Sequence, residues 1–244
     1  MSIRVAVITP ASMNRLDHLQ RQRRFLTEVR TPGIEVVRVE AWLGVDAPPA
    51  VPSVLSVHVP PGRDGMRVGA ARNAAAALAL DHGVDLLVFL DVDCLPGPDL
   101  LERYVDAARD HPHDLLCGPV TYLHSVQRPS RMVDLGTMTR PHPARPLPPD
   151  GDVVTATDDE FDLFWSLSFA VTAETWTRLG GFDEAYEGYG AEDTDLGRRA
   201  RSLGMRVQWV GGAHAYHQWH PAGSPPWRHL DDILRNGALF AERW

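Results

Sequence analysis

The chain contains no lysine: all 24 basic residues among its 244 are arginine. That absence removes a P-loop lysine and a Schiff-base lysine from the chemistry available. Cysteine is almost as scarce, with Cys94 and Cys117 each beside an apolar run. Two such thiols offer neither zinc-ligand spacing nor a disulfide framework, so both are expected in the core. No run of 18 apolar residues occurs, and MSIRVAVITP at the start lacks the basic, apolar and small-residue segments of a signal peptide. The expectation is a cytoplasmic protein with no transmembrane segment. Positive charge is in deficit, the net charge being -8. That balance disfavours a nucleic-acid partner, whose phosphates need neutralising.

What is present suffices for a large core, at 44% hydrophobic residues, and fits one α/β domain. Short β-rich runs alternate with helical patterns, the sequence form of a mixed, mostly parallel central sheet flanked by helices. Strands are predicted at IRVAVIT (3–9), IEVVRVEA (34–41), 54–59, DLLVFLD (85–91), LLCGPV (115–120), LSFAV (167–171) and MRVQWV (205–210). Helices are predicted over 14–28, 69–82, from Pro98 onward, and over 193–203. APPAVP (47–52) reads as a proline-rich connection. From 124 to 160 periodicity fails and prolines accumulate, which predicts a long flexible loop ordered by substrate. In the tail, Leu230, Ile233, Leu234 and Ala238 recur at helical spacing, predicting a last helix packed on the domain by that face. Asp231, Asp232 and Glu242 on its other side argue against a membrane-surface role.

Three constellations carry the chemistry. VFLDVDCL (88–95) ends a buried strand with Asp91 and Asp93, at the carboxyl end where open α/β sheets bind ligands. On an extended segment the two carboxylates point the same way, with Val92 turned into the core, and converging like charges call for a cation. Mg²⁺ or Mn²⁺ completed by substrate phosphates fits. A turn or helix-capping role for one aspartate is the plainer alternative.

The second constellation, GGFDEAYEGYGAEDTDLGRR, flanks Tyr189 with glycines and then delivers Glu192, Asp193 and Asp195 at a helix start. Acids there also offset the helix dipole, but three within four residues exceed that need. A carboxylate at this place can take a proton from a hydroxyl nucleophile, and the tyrosine can stack on a sugar. The third, GGAHAYHQWHP, spaces His214, His217 and His220 three apart after a strand. A mixed carboxylate and imidazole metal site is the reading that joins it to the aspartates, with zinc open to the histidines alone.

These motifs, with Pro10, Asn14-Arg15 and GAARN (69–73), resemble those of GT-A fold glycosyltransferases. The nearest likeness is to family 2 enzymes sharing a C-terminal motif with the β-1,4-galactosyltransferases. The likeness spans roughly 3–122 and 165–220. It implies a single GT-A domain: a nucleotide-sugar half (1–122), a flexible loop (123–160), an acceptor and catalytic half (161–220) and a C-terminal helix (221–244). It also implies Asp93 as the main metal ligand, Asp91 as a ribose or metal-shell partner, and His217 completing the site with His214 secondary. Glu192 becomes an acceptor-hydroxyl binder and Asp193 the catalytic base. Pro10, Arg15 and Arg72 fall in the nucleotide pocket, and with Asp91 and Tyr189 they make up the donor-binding set. Tyr189 stands where galactosyltransferases have tryptophan, which leaves donor and acceptor preference open. The implied activity is metal-dependent, inverting transfer of a sugar from a nucleotide-diphosphate donor, UDP favoured, to an acceptor hydroxyl, with Mn²⁺ or Mg²⁺.

Two rival readings stand beside it. A haloacid-dehalogenase-type phosphohydrolase also ends an apolar strand in D-x-D, but that motif usually works with a lysine. A non-catalytic sugar-nucleotide or glycan binder on the same scaffold would not need Glu192, Asp193 and His217 together.

Overall fold

The computed structural model describes residues 2–46, 51–221 and 226–244. Residues 47–50 of the expected proline-rich connection, and 222–225 ahead of the last helix, lie outside the described residues.

In chain order the strands and helices are β1 (Ile3–Ser12), α1 (Leu16–Leu26), β2 (Ile34–Leu43), β3 (Leu55–Val59), α2 (Val68–Asp81), β4 (Leu86–Leu90) and β5 (Cys94–Pro96). There follow α3 (Leu100–Asp110), β6 (Leu115–Cys117), β7 (Val120–Tyr122), α4 (Met132–Met138), β8 (Val153–Thr155), β9 (Ser168–Thr172) and α5 (Ala173–Leu179). The last are α6 (Glu192–Ser202), β10 (Val207–Val210), β11 (Ala215–His217) and α7 (Leu230–Arg243). Among the described residues the strands form an eight-stranded sheet, β3-β2-β1-β4-β9-β6-β10-β8, and a three-stranded one, β5-β11-β7. The first four strands run parallel, β9 lies antiparallel between β4 and β6, and β8 runs antiparallel at the edge. The predicted mixed, mostly parallel sheet flanked by helices is therefore present.

β4 is buried at all five positions. Period-two alternation sends Leu87 and Phe89 to one core and Leu86, Val88 and Leu90 to the other. Phe89 stacks on its register partner Phe169 with ring centroids 4.5 Å apart. Over that face lies α2, whose Ala70, Ala71, Ala75, Ala76 and Ala79 are buried. Alanine favours helix most and lets it sit close to the sheet. Both thiols, Cys94 and Cys117, are buried as expected.

Three expectations are corrected. LLCGPV is not one strand: β6 belongs to the large sheet and β7 to the small one. At the break, a Cβ on Gly118 would lie 1.7 Å from the carbonyl oxygen of Ala213, so the chain passes too close for a side chain. The flexible loop of 123–160 is a built part of the domain. Leu135 of α4 is buried with Phe25, Leu95, Leu123 and Tyr216, and β8 extends the sheet beside β10. Arg145 is buried, donating to the carbonyls of Gly118 (3.0 Å) and Trp165 (2.8 Å). Finally, α7 does not dock by its apolar stripe. Leu230, Ile233 and Leu234 are exposed, whereas Asn236 is buried against a loop whose carbonyls need a donor.

Candidate active site

The acidic pair lies in a turn, not on the extended segment the sequence predicts. The N–H of Cys94 donates to the Asp91 carbonyl at 2.8 Å, closing the turn between β4 and β5. Gln22 on α1 braces it, its amide donating to the carbonyls of Asp91 (2.7 Å) and Cys94 (2.8 Å) while its own oxygen accepts from Thr9 (2.9 Å). Val92 does turn inward, against Ala11, Leu19 and Trp42. Because the backbone turns, the two carboxylates meet different partners.

Asp93 meets the histidines. Its two oxygens lie 3.5 Å from His217 Nε2 and 3.3 Å from His220 Nε2. The Gln218 N–H donates to the Asp93 carbonyl at 2.6 Å, tying the histidine segment to the turn. Asp93, His217 and His220 each offer one ligand atom, all within 4.8 Å of one another. An octahedral ion with bonds of about 2.1 Å holds neighbouring ligands about 3 Å apart, so this donor set fits a divalent cation with little movement. Burial holds the His217 imidazole below its ordinary pKa against the pull of Asp93, keeping it neutral as a ligand must be. Burial would raise the Asp93 carboxyl, but the His220 hydrogen bond and the nearby His217 and Arg15 hold it below the usual value.

His214 is elsewhere, and His220 takes the place expected for it. The Nε2 of His214 pairs with the Thr121 hydroxyl at 2.8 Å and the His214 ring stacks on Tyr216. Spacing of three shares a face on a helix, but His214 immediately precedes the short strand β11 and His217 ends it, so the two face opposite sides, while His220 lies beyond the strand, where the chain returns to Asp93. Burial lowers the His214 pKa to about 4.

Asp91 meets Arg72, whose Nη2 donates to its Oδ1 at 2.7 Å. Arg72 is 3% exposed, and its Nη1 lies 3.8 Å from both Glu192 Oε1 and Asp193 Oδ1. One guanidinium thus gathers three carboxylates from two distant motifs. Burial pushes the Asp91 carboxyl to about 6 and the Glu192 carboxyl to about 7; the Asp193 charge adds to the Glu192 rise and Arg72 opposes both. Asp193 accepts from the Ser166 hydroxyl (2.5 Å) and backbone N–H (3.1 Å). Asp195, third in the acidic run, is a buried structural hub satisfied by Tyr186, Arg199 and Trp244.

Two clefts adjoin this centre. One, of about 560 Å³, is lined by Pro10, Arg15, Arg72, Asp91 and Asp93. It opens at the carboxyl ends of β1 and β4, where connections leave in opposite directions. The other, of about 950 Å³, is lined by Tyr122, Tyr189, His217, Trp219, His220 and Arg228. Tyr189 therefore belongs to the second cleft, away from the other residues assigned with it to the donor. Sequence reasoning missed Gln22, Ser166 and Gln218, lone polar residues whose role shows only when their partners arrive.

The glycosyl transferase family 2 profile matches residues 56–158, and the profile described as N-terminal domain of galactosyltransferase matches 156–221. Among solved structures, GalNAc-T7 with UDP, GalNAc and Mn²⁺ superposes on 99% of this chain and 48% of its own, at a TM-score of 0.65 and 15% identity. S. aureus TarS covers 98% of this chain and 39% of its own, at a TM-score of 0.64 and 15% identity. The chain has the GT-A glycosyltransferase fold. Within the GT-A frame, both profiles fall on the segments that carry the D-x-D turn and the E-D helix. Validoxylamine A glucosyltransferase of Streptomyces hygroscopicus subsp. jinggangensis is 30% identical over an alignment of 178 residues, covering 63% of this chain. The chain spans about two fifths (40%) of that relative's length. Among the described residues no helix is long and apolar enough to cross a membrane.

Proposed function

We propose that the protein transfers a sugar from a nucleotide-diphosphate donor to an acceptor hydroxyl, with inversion and with a divalent cation. One observation carries the reading: Asp93 lines the first cleft while His217 and His220 line the second, so the candidate metal triad stands where the two meet. A donor in the first cleft then has its diphosphate at the triad and its sugar facing an acceptor in the second. Residues 1–122 serve the donor and 161–220 the acceptor and its proton. Mn²⁺ or Mg²⁺ bound there would neutralise charge growing on the departing diphosphate.

The chain's own groups do the rest. Pro10 and Arg15 flank the nucleotide, and Arg72 fixes Asp91 toward it. Asp193, held by Ser166, accepts the proton of the acceptor hydroxyl as it attacks the anomeric carbon from the face opposite the leaving group. Glu192 binds that hydroxyl. A single base suffices because the diphosphate departs without protonation, unlike the paired carboxylates of glycoside hydrolysis. UDP as the nucleotide and Mn²⁺ as the ion are supported by GalNAc-T7 solved with both and by TarS solved with UDP-GlcNAc. The phosphohydrolase alternative loses its basis, since Asp91 is committed to Arg72 and the relatives are glycosyltransferases.

The test is thermal unfolding with UDP, GDP and dTDP, each with Mn²⁺, Mg²⁺ or chelator, followed by release of nucleoside diphosphate from the matching sugar donors. Ligand at a hundred times its Kd should stabilise by about 2.7 kcal/mol. A shift for one nucleotide that chelator abolishes is expected. No shift with any nucleotide would overturn the reading, and a shift without turnover on any acceptor would favour the non-catalytic binder.

A further inference from the structure

The turn that presents Glu192 and Asp193 is built from conformations a chain does not hold unaided. Gly188, Gly190 and Ala191 have φ of 74°, 96° and 76°. Ala191 is the residue immediately before α6, and it stands in the left-handed region without being glycine. No side chain caps α6 at that end. The direction in which the first turn of α6 sets out, and with it the placing of both carboxylates, therefore rests on whatever fixes the preceding loop. A non-glycine left-handed residue at such a point persists only where its surroundings over-determine it.

Those surroundings come from α7. Asn236, 2% exposed, aims its amide nitrogen at three carbonyls of the loop: Glu187 at 3.0 Å, Tyr189 at 3.2 Å and Gly190 at 3.0 Å. Arg235 donates to the Glu187 carbonyl at 2.6 Å, and Asp232 accepts the Tyr189 N–H at 3.2 Å. The His229 ring stacks on Tyr189 at 4.7 Å. From the opposite side the Gly188 N–H donates to the Met66 carbonyl at 2.9 Å, and a Cβ on Gly65 would approach Gly188 to 2.9 Å. The loop is gripped between two segments, and among the described residues the buried amide of Asn236 alone reaches three of its carbonyls. The polar docking of α7, which leaves Leu230 and Leu234 exposed, is explained by this need for donors.

We infer that Asn236 is a positioning residue: by holding the carbonyls of Glu187, Tyr189 and Gly190 it enforces the left-handed turn at Ala191 that sets Glu192 and Asp193 beside Arg72 of the first cleft. This rests on the proposed glycosyl transfer for its catalytic readout. Asn236 itself lines neither cleft, and its amide bonds go to the loop carbonyls.

The experiment compares wild type with Asn236→Ala, Ala191→Gly and the double variant. The first readout is hydrogen exchange of the 187–195 amides. The second is the thermal shift given by UDP with Mn²⁺. The third is UDP release from UDP-glucose, UDP-galactose and UDP-GlcNAc. Asn236→Ala is expected to speed exchange in that segment, to keep the UDP shift, and to lower kcat about 10- to 100-fold with donor KM changed less than about threefold. Ala191→Gly removes the steric cost of the left-handed turn, so in the double variant it should restore several-fold of the lost kcat. A helix that merely held the domain together would not be rescued by a glycine 45 positions away. Unchanged exchange in Asn236→Ala, or no recovery in the double variant, overturns the inference. Absence of UDP release from wild type with every donor counts against the glycosyl transfer reading instead, and the exchange result then decides the clamp by itself.

Discussion

Replacing Arg72 by methionine tests the arrangement at its centre. The change keeps an apolar stem at this buried position of α2 and removes the cation that faces Asp91 at 2.7 Å and Glu192 and Asp193 at 3.8 Å. Removing one partner of a buried ion pair costs about 3–5 kcal/mol, because the other charge is left uncompensated. At about 2–4 °C per kcal/mol for a domain of this size, the melting temperature should fall by roughly 6–20 °C. The loss should depend on pH. Burial already raises Asp91 to about 6 and Glu192 to about 7, and without Arg72 both rise further. An acid whose folded pKa exceeds its unfolded value of about 4 binds more protons folded than unfolded, so stability falls as pH rises between the two values. The variant should therefore lose most at pH 8 and less at pH 5, where the carboxylates are protonated. Circular dichroism melts of both proteins at the two pH values read this directly, without any substrate. A loss under about 1 kcal/mol, or an equal loss at both pH values, would refute the reasoning.

Other outcomes follow from the same geometry. His217→Ala and His220→Ala should each abolish the Mn²⁺-dependent part of the UDP thermal shift, whereas His214→Ala should keep it; retention in His220→Ala would remove that residue from the metal site. Asp193→Asn should lower turnover about 10²- to 10⁴-fold while the UDP shift survives, and near wild-type turnover would dismiss it as the base. Leu135→Ala should cost about 2–5 kcal/mol in chemical denaturation, since the side chain is buried among Phe25, Leu95, Leu123 and Tyr216. A negligible cost would return 123–160 to a flexible loop.

Long elements were readable because each carries its own signal. LLVFL (86–90), between Asp85 and Asp91, is apolar throughout, which marks a strand covered on both faces, and alanine repetition with a terminal glycine marks α2. The segment from 124 to 160 hid its structure because its pieces are short. The helix α4 has seven residues with Leu135 alone buried, and β8 has three residues held by pairing with β10. Neither is long enough to show a period, and both depend on partners distant in sequence. The tail misled for a related reason: its apolar stripe is real, but the loop carbonyls at 187–190 drew the polar face inward.

The sequence by itself determined the alternating architecture, the acidic end of β4, the E-D pair on α6 and the presence of a histidine cluster, because residue type and spacing carry them. Only the tertiary structure decided that His220 and not His214 joins His217 at Asp93, and that Asp91 and Asp93 part company. It alone decided, too, that one arginine gathers three carboxylates. Spacing of three means one face on a helix and opposite faces on a strand, and a carboxylate's partner is whichever group the fold brings within a few ångströms.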